Sequence, residues 1–325
     1  MPSLRTVAHW TLRAAVSAAA LAYISYDVDH GDLRATLSAV HVRDLVLPLA
    51  LYLAGQALSG VKWWLIGSSV GLERPSVDYV RFYFIGMSLN VFGVSTIGGD
   101  VVRALYLGDG RRPALALNSV IFDRMNGLAI LMALGALALL ASPQYHLPWV
   151  LSAALIAGGL GLVACWWTCP RLVHLLPRRS RIRRQVEHDL APFWRDRRLL
   201  VVVSALSVAF HLSQVGVQYL LARAAGTTLP FSYCLIMHPV LSVMMALPLS
   251  VGGFGVREGG YLYFLTRLDV DDSIAVTMGL LWWLMTALGG LVGVLVFVTS
   301  GLSLPRLRAR AVELGGRPET ASRVG

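Results

Sequence analysis

The sequence predicts an all-α polytopic membrane protein, with about six transmembrane helices and two glycine-turned re-entrant hairpins, or about eight spans. Three observations carry this. Hydrophobic residues make up 56% of the 325 and charged residues 14%, whereas soluble proteins average about 45–50% and about 25%. The apolar residues fall in runs near the ~20 residues that a membrane-crossing helix needs, and mean hydropathy is +0.64. The basic residues behind the net charge of +10 sit between those runs. This pattern excludes a disordered chain, a coiled coil and an ordinary soluble enzyme. It assigns the basic pI to membrane topology and not to nucleic acid. The three cysteines, Cys165, Cys169 and Cys234, lie in apolar context and give no disulfide framework. The single lysine, Lys62, reads as base composition, since all other basic charge is arginine.

Six stretches can span: 7–26, 45–70, 113–141, 147–169, 199–222 and 272–302. Arg13 inside the first argues against a cleaved signal peptide. Two further apolar stretches are broken. Residues 80–107 are interrupted around Asn90 to Asp100, and 231–268 around Pro248 to Gly255. The loop 170–198 carries nine arginines against Glu187, Asp189 and Asp196, and the tail after Leu302 is basic, so both belong in the cytoplasm. The loop 27–44 is acidic and suits the outside. With the N-terminus inside, one crossing per broken segment would put the basic loop or the basic tail outside. Two hairpins, about 78–108 and 231–268, entering from opposite faces, satisfy every loop. Two crossings per broken segment would satisfy parity too, but the second legs are short and charged; eight plain spans with glycine-kinked loops are the alternative. The expected organisation is one integral membrane domain, 1–303, with a cytoplasmic tail, 304–325, in a bacterial-type inner membrane with both termini cytoplasmic. Within the basic loop, residues 173–193 form either a basic amphipathic surface helix or a solvated segment.

The polar residues inside these runs are the candidate site. In the first broken segment Gly98 and Gly99 permit a tight backbone, Asp100 can cap the helix that follows, and Arg103 lies one turn in. A half-helix N-terminus beside a guanidinium suits an anion. The second segment repeats the recipe. Pro248 ends the first leg, Ser250, Gly252, Gly253 and Gly255 form the turn, and Arg257 and Glu258 open the second leg. Adjacent helical residues project about 100° apart, so Arg257 and Glu258 are expected to pair elsewhere, with Asp100 or Asp123 for example. Asp123, Arg124 and Asn126 lie within the span 113–141. His211, Gln214 and Gln218 make one polar stripe that glues helices as readily as it lines a path. His238 is expected to be a packing residue. No phosphate loop, metal-ligand cluster or nucleophile–base set is evident, so no cofactor, no metal and no catalytic residue is assigned.

Asn90…Gly98-Gly99-Asp100…Arg103, then Asp123-Arg124, then Pro248…Ser250…Gly252-Gly253…Gly255…Arg257-Glu258 resembles the transmembrane, flippase-like region of the lysylphosphatidylglycerol synthases. The resemblance runs from about residue 45 to 299. Two features depart from it. Phe92-Gly93-Val94-Ser95 stands where members often carry a proline-glycine pair, and the chain ends at Gly325, leaving no room for a soluble aminoacyl-transferase domain. The resemblance implies translocation or binding of a polar, anionic phospholipid-type lipid, not lysyl transfer, with Arg103, Arg124 and Arg257 holding the head group. A scaffold for a separately encoded lipid-modifying enzyme, and an enzyme acting on lipid-linked substrates, are the rival readings. Expected partners are a membrane lipid, such an enzyme or a second copy of the chain.

Overall fold

A computed structural model describes residues 11–302, apart from 12–14, 21, 23–25, 27, 93–97, 109–111, 174–176, 178, 179, 181, 182, 184–186, 188, 189, 248, 249 and 251. Most of the predicted first span, the turn residues Gly93, Val94 and Ser95, Pro248, and the tail 304–325 therefore lie outside the described residues. The described chain is helical and contains no strand. In order the helices are α1 (His30–Ala39), α2 (Val42–Ser68), α3 (Ser76–Phe92), α4 (Gly98–Gly108), α5 (Pro113–Ala141) and α6 (Trp149–Leu172). They continue with α7 (Ala191–Trp194), α8 (Arg197–Ala224), α9 (Phe231–Ala246), α10 (Val256–Leu265) and α11 (Asp272–Thr299).

Among the described residues five helices, α2, α5, α6, α8 and α11, are long and apolar enough to cross a membrane. They coincide with five of the six predicted stretches. The chain is an all-α polytopic membrane protein. Local chemistry sets several helix ends. The Asp29 carboxylate accepts from the N–H groups of Gly31 and Asp32 at the start of α1. Asp196 does the same for Arg198 and Leu199 at the start of α8, and Pro113 occupies the first turn of α5.

Apolar side chains gain little by leaving lipid for one another, so close packing at small residues must hold the bundle together. A Cβ on Gly55 of α2 would stand 2.5 Å from Ser213 Oγ of α8, and one on Gly216 of α8 would stand 3.0 Å from Leu51. Gly159 of α6 packs on the backbone of Met132 in α5. Gly293 of α11 lies beneath the Phe84 carbonyl of α3, and Gly289 meets Tyr52 and Met87.

Both broken segments are antiparallel helical hairpins. In the first, Phe82 stacks on Tyr106 with ring centroids 5.3 Å apart. Gly86 faces Gly99, and the Asn90 Oδ1 accepts the Gly99 N–H at 2.9 Å. In the second, the Tyr233 hydroxyl donates to the Phe264 carbonyl at 2.7 Å, and Leu241 packs on Gly260. The second legs, α4 with 11 residues and α10 with 10, are about 15–17 Å long, half the ~30 Å hydrocarbon thickness.

Most of residues 173–193, and with them the expected surface helix or solvated segment, lie outside the described residues, but the end of the basic segment is packed on the bundle. Phe193 and Trp194, on α7, are buried against Phe122 of α5 and Trp166 of α6, and the Trp194 indole donates to the Trp166 carbonyl at 2.9 Å. An aromatic box fastens this end of the segment to the bundle.

Candidate functional site

Gly86 and Gly99 let α4 settle directly on α3. A Cβ on Gly86 would stand 2.7 Å from the Gly99 carbonyl, and one on Gly99 would collide with the Gly86 carbonyl. That contact fixes the rotation of α4 and buries Arg103, which is 1% exposed. Its guanidinium is sandwiched 4.8 Å from the Trp63 ring and 4.9 Å from the Tyr83 ring. Arg103 Nε lies 3.1 Å from Asp100 Oδ1, and its Nη2 donates to Asp123 Oδ2 at 3.4 Å. Asp100 is gripped from its other side by Arg124, whose Nε and Nη2 donate to the two carboxylate oxygens at 3.0 and 2.8 Å. Such bidentate pairs fix orientation as well as charge. The other end of the chain of charges is Lys62. Its Nζ sits 2.9 Å from Asp123 Oδ1 and donates to Ser207 Oγ at 3.1 Å.

Lys62, Asp123, Arg103, Asp100 and Arg124 thus form one network across α2, α4 and α5, with three cations and two carboxylates. It grades from buried Lys62 and Asp123 to Arg124, whose side chain is 53% exposed. A neutral layer extends it into α8. Ser207 donates to Asn126 Oδ1 at 2.7 Å, Asn126 donates to Ser204, and His211 hydrogen-bonds the Gly127 carbonyl at 2.9 Å. His238 packs near His211, ring centroids 5.9 Å apart, and against Trp282.

The exposed end of the network opens into a cavity of about 200 Å³, lined by Tyr52, Gln56, Tyr83, Met87, Asn90, Asp100, Arg103, Arg124 and Phe210. Tyr52 and Gln56 lie near the middle of α2, so the cavity sits at mid-depth. Arg103 Nη1 is buried and has no hydrogen-bond acceptor among the described residues.

Several expectations need correcting. Asp100 lies inside the first turn of α4 and spends its carboxylate on two arginines, and Asn90 satisfies the helix N-terminus instead. Gly99 serves close approach, and neither Gly98 nor Gly99 has an unusual backbone angle. Arg257 and Glu258 pair with each other: Arg257 Nε and Nη2 donate to Glu258 Oε1 at 3.0 and 2.6 Å. The 100° rule separates Cβ directions, but at the start of α10 no preceding helical turn blocks a long arginine from folding back. Glu258 Oε2 also accepts the Gly255 N–H at 2.7 Å, the carboxylate half of a capping box. The turn needs its glycines, because Gly252, Gly253 and Gly255 have φ of 61°, 80° and 81°. Ser250 is described, but no hydrogen bond of its side chain is found among the described residues.

The structure therefore brings Asp100, Arg103, Asp123 and Arg124 together and leaves Arg257 and Glu258 apart. Glu258 packs on Gly279 of α11, while the cavity residues Tyr52 and Met87 pack on Gly289. Ten residues of helix separate those contacts by about 15 Å. Among the described residues no ion pair joins the two clusters. Sequence reasoning missed Lys62, although a charge in the interior of an apolar run was the available signal.

Apolar spans, two helical hairpins and an intramembrane charge network define a polytopic membrane protein with a polar site at mid-depth. The chain belongs to the lysylphosphatidylglycerol synthase transmembrane-region family, whose profile matches residues 10–308. A comparison with curated proteins finds no match. Membership relates this membrane protein to lipid handling.

Proposed function

We propose that the chain binds the head group of an anionic phospholipid in the Arg103–Arg124 cavity and carries it between leaflets, without a catalytic step of its own. The carrying observation is the unmatched positive end of the network. Arg103, which has a buried donor with no acceptor among the described residues, lines the same cavity as the half-exposed Arg124, and the cations of the network outnumber its carboxylates by one. Uncompensated charge in a low-dielectric interior is costly. A phosphodiester monoanion would neutralise the surplus, accept from Arg103 Nη1 and compete with Asp100 for Arg124. Gln56 and Asn90 offer neutral hydrogen-bonding groups to the rest of a small head group.

The lengths and antiparallel packing of the two hairpins support re-entrant segments that dip into the membrane from opposite faces of a bacterial inner membrane, with both termini cytoplasmic. Paired broken segments of this kind occur at transporter sites near the midplane. Alternating access would come from the hairpins parting from α11 in turn. The test is a leaflet assay in proteoliposomes with labelled phosphatidylglycerol and phosphatidylcholine. Protein-dependent flipping of the anionic lipid, faster than of the neutral one, is expected. Equal rates for both, or rates no higher than in protein-free vesicles, would overturn the reading.

A further inference from the structure

A column of buried polar side chains lies beside the second hairpin. His211 and Gln218 share one face of α8, and His238 of α9, Tyr261 of α10 and Thr277 of α11 come from three other helices. All five are at most 6% exposed. Each keeps a polar atom without a hydrogen-bond partner among the described residues: Nδ1 of both histidines, both amide atoms of Gln218 and the two hydroxyls. Unpaired buried polar atoms are costly, so a set of them marks a place for water or a ligand. Helix positions order the column by depth. Short connections put the end of α8 and the start of α11 at one membrane face. Thr277 and Gln218 lie five and six residues inside those ends, about 8–9 Å, and His211 lies 13 residues inside, about 20 Å. At that face a cavity of about 400 Å³ is lined by Thr227, Thr228, Asp269, Asp271 and Ile274. Thr277 is one turn below Ile274 on the same side of α11. At the inner end His211 faces Lys62 of α2 and Asp123 of α5. Asp123 is ten residues, about 15 Å, from the start of α5 at the opposite face.

We infer that this column is a proton path from the Asp269–Asp271 mouth to the Lys62–Asp123 network, so that the chain moves protons across the membrane. Imidazole and hydroxyl groups both give and accept protons, and rows of such residues inside membranes serve as relays. Helix–helix glue does not explain the column, since glue consists of hydrogen bonds that these atoms do not make. The tautomer of His211 is fixed. A carbonyl only accepts, so the bond to Gly127 puts the hydrogen on Nε2 and leaves Nδ1 a vacant base in the neutral ring. Spacing suits bridging by single waters. Tyr261 stands beside Gln218 and Cys234, Cys234 is one turn from His238 on α9, and the two imidazole centroids are 5.9 Å apart. A water making two hydrogen bonds of about 2.8 Å spans such a gap. The charged and titratable groups around the column are Lys62, Asp123 and His238 towards His211, His211 towards His238, and Cys234, Arg257 and Glu258 towards Tyr261. From α11, Trp282 packs on His238. An entering proton, passed through waters held by Thr277, Tyr261 and Gln218, adds to His238 Nδ1 and makes an imidazolium. It moves to the vacant His211 Nδ1, which returns His238 to neutrality, and leaves His211 for the Asp123 carboxylate. There it adds one positive charge to the network, so proton and anion favour each other's binding. That coupling rests on the proposed head-group site; the path itself does not.

The test reconstitutes the full chain into vesicles of mixed phosphatidylglycerol and phosphatidylcholine with a pH-sensitive dye inside. An acid outer buffer and a potassium–valinomycin potential drive protons inward. Wild type is expected to acidify the lumen faster than protein-free vesicles do. The double variant His211→Gln, His238→Gln, whose amide at position 211 can still donate to the Gly127 carbonyl, should lose about 100-fold, the low end of what a positioned proton-transfer group contributes. Tyr261→Phe with Thr277→Val removes only two unpaired oxygens. It should leave the melting temperature unchanged or higher and still slow acidification, a result that a structural role would not give. Acidification by wild type no faster than in protein-free vesicles would overturn the inference. Wild-type rates in the folded histidine variant, or in the Tyr261→Phe, Thr277→Val protein, would overturn it too. Labelled phosphatidylglycerol in the same vesicles separates the two readings. Proton movement without flipping would leave the path standing and remove the proposed function, and flipping without proton movement would do the reverse.

Discussion

The two hairpins share a recipe and use it differently. In the α3–α4 hairpin the arginine reaches outward. Arg103 is held by Asp100 on its own helix and by Asp123 on α5, and through them joins Lys62 on α2 and Arg124 on α5. In the α9–α10 hairpin the arginine turns inward. Arg257 binds the adjacent Glu258, which also closes the glycine turn through Gly255. One hairpin is wired to its neighbours and opens on a cavity with surplus positive charge. The other is electrically closed and holds its own shape. The same glycine–helix–arginine sequence therefore joins a network across helices only where one of the arginine's carboxylate partners, here Asp123, comes from another helix.

The largest effect that would sharpen this contrast is expected from Asp123→Ala. It strips Lys62 and Arg103 of a shared buried counter-ion and should cost about 3–5 kcal/mol, read as a lower melting temperature in detergent. Lys62→Met combined with Asp123→Leu should lose less than the sum of the two single changes, because the residues couple directly. Next, Gly99→Ala drives a methyl group into the Gly86 carbonyl and should cost about 3 kcal/mol by overpacking. It should also weaken lipid binding, because it displaces Arg103. Gly253→Ala is smaller. Its φ of 80° is strained for alanine, but nothing lies within 4 Å of the added Cβ, so about 1–2 kcal/mol is expected, without loss of lipid binding. The smallest stability change, under about 1 kcal/mol, is expected from Arg124→Ala, since this arginine is half exposed. A large destabilisation by Arg124→Ala, or a negligible one by Asp123→Ala, would break the picture of a network buried at one end and open at the other.

Much of this was legible in the sequence because membranes enforce simple rules. Five apolar runs became five long helices. The helices on either side of the interruptions near Asn90 and Gly252 fold back on each other as antiparallel pairs, as short broken segments within a membrane must. Asp100, Arg103, Asp123 and Arg124 stood out as charges in apolar runs. What stayed hidden depended on helix rotation. Lys62 looked like an isolated cation until α2 was seen to turn it towards Asp123. Arg257 was expected to cross the bundle, because its Cβ direction carries no information about a flexible side chain at a helix N-terminus. Asn90 stood out only as part of a motif, and its role as the cap of α4 depends on the antiparallel fold-back of the first hairpin.

The most direct measurement sets the hairpins against each other. Flipping of labelled phosphatidylglycerol would be followed in proteoliposomes holding equal amounts of folded wild type, Arg124→Ala and Arg257→Ala. Flipping should fall to the protein-free rate in Arg124→Ala, with its melting temperature close to wild type. Arg257→Ala should lower the melting temperature but, at equal folded protein, flip at the wild-type rate. Wild-type flipping by a well-folded Arg124→Ala protein would contradict the assignment of the first hairpin's cavity as the head-group site.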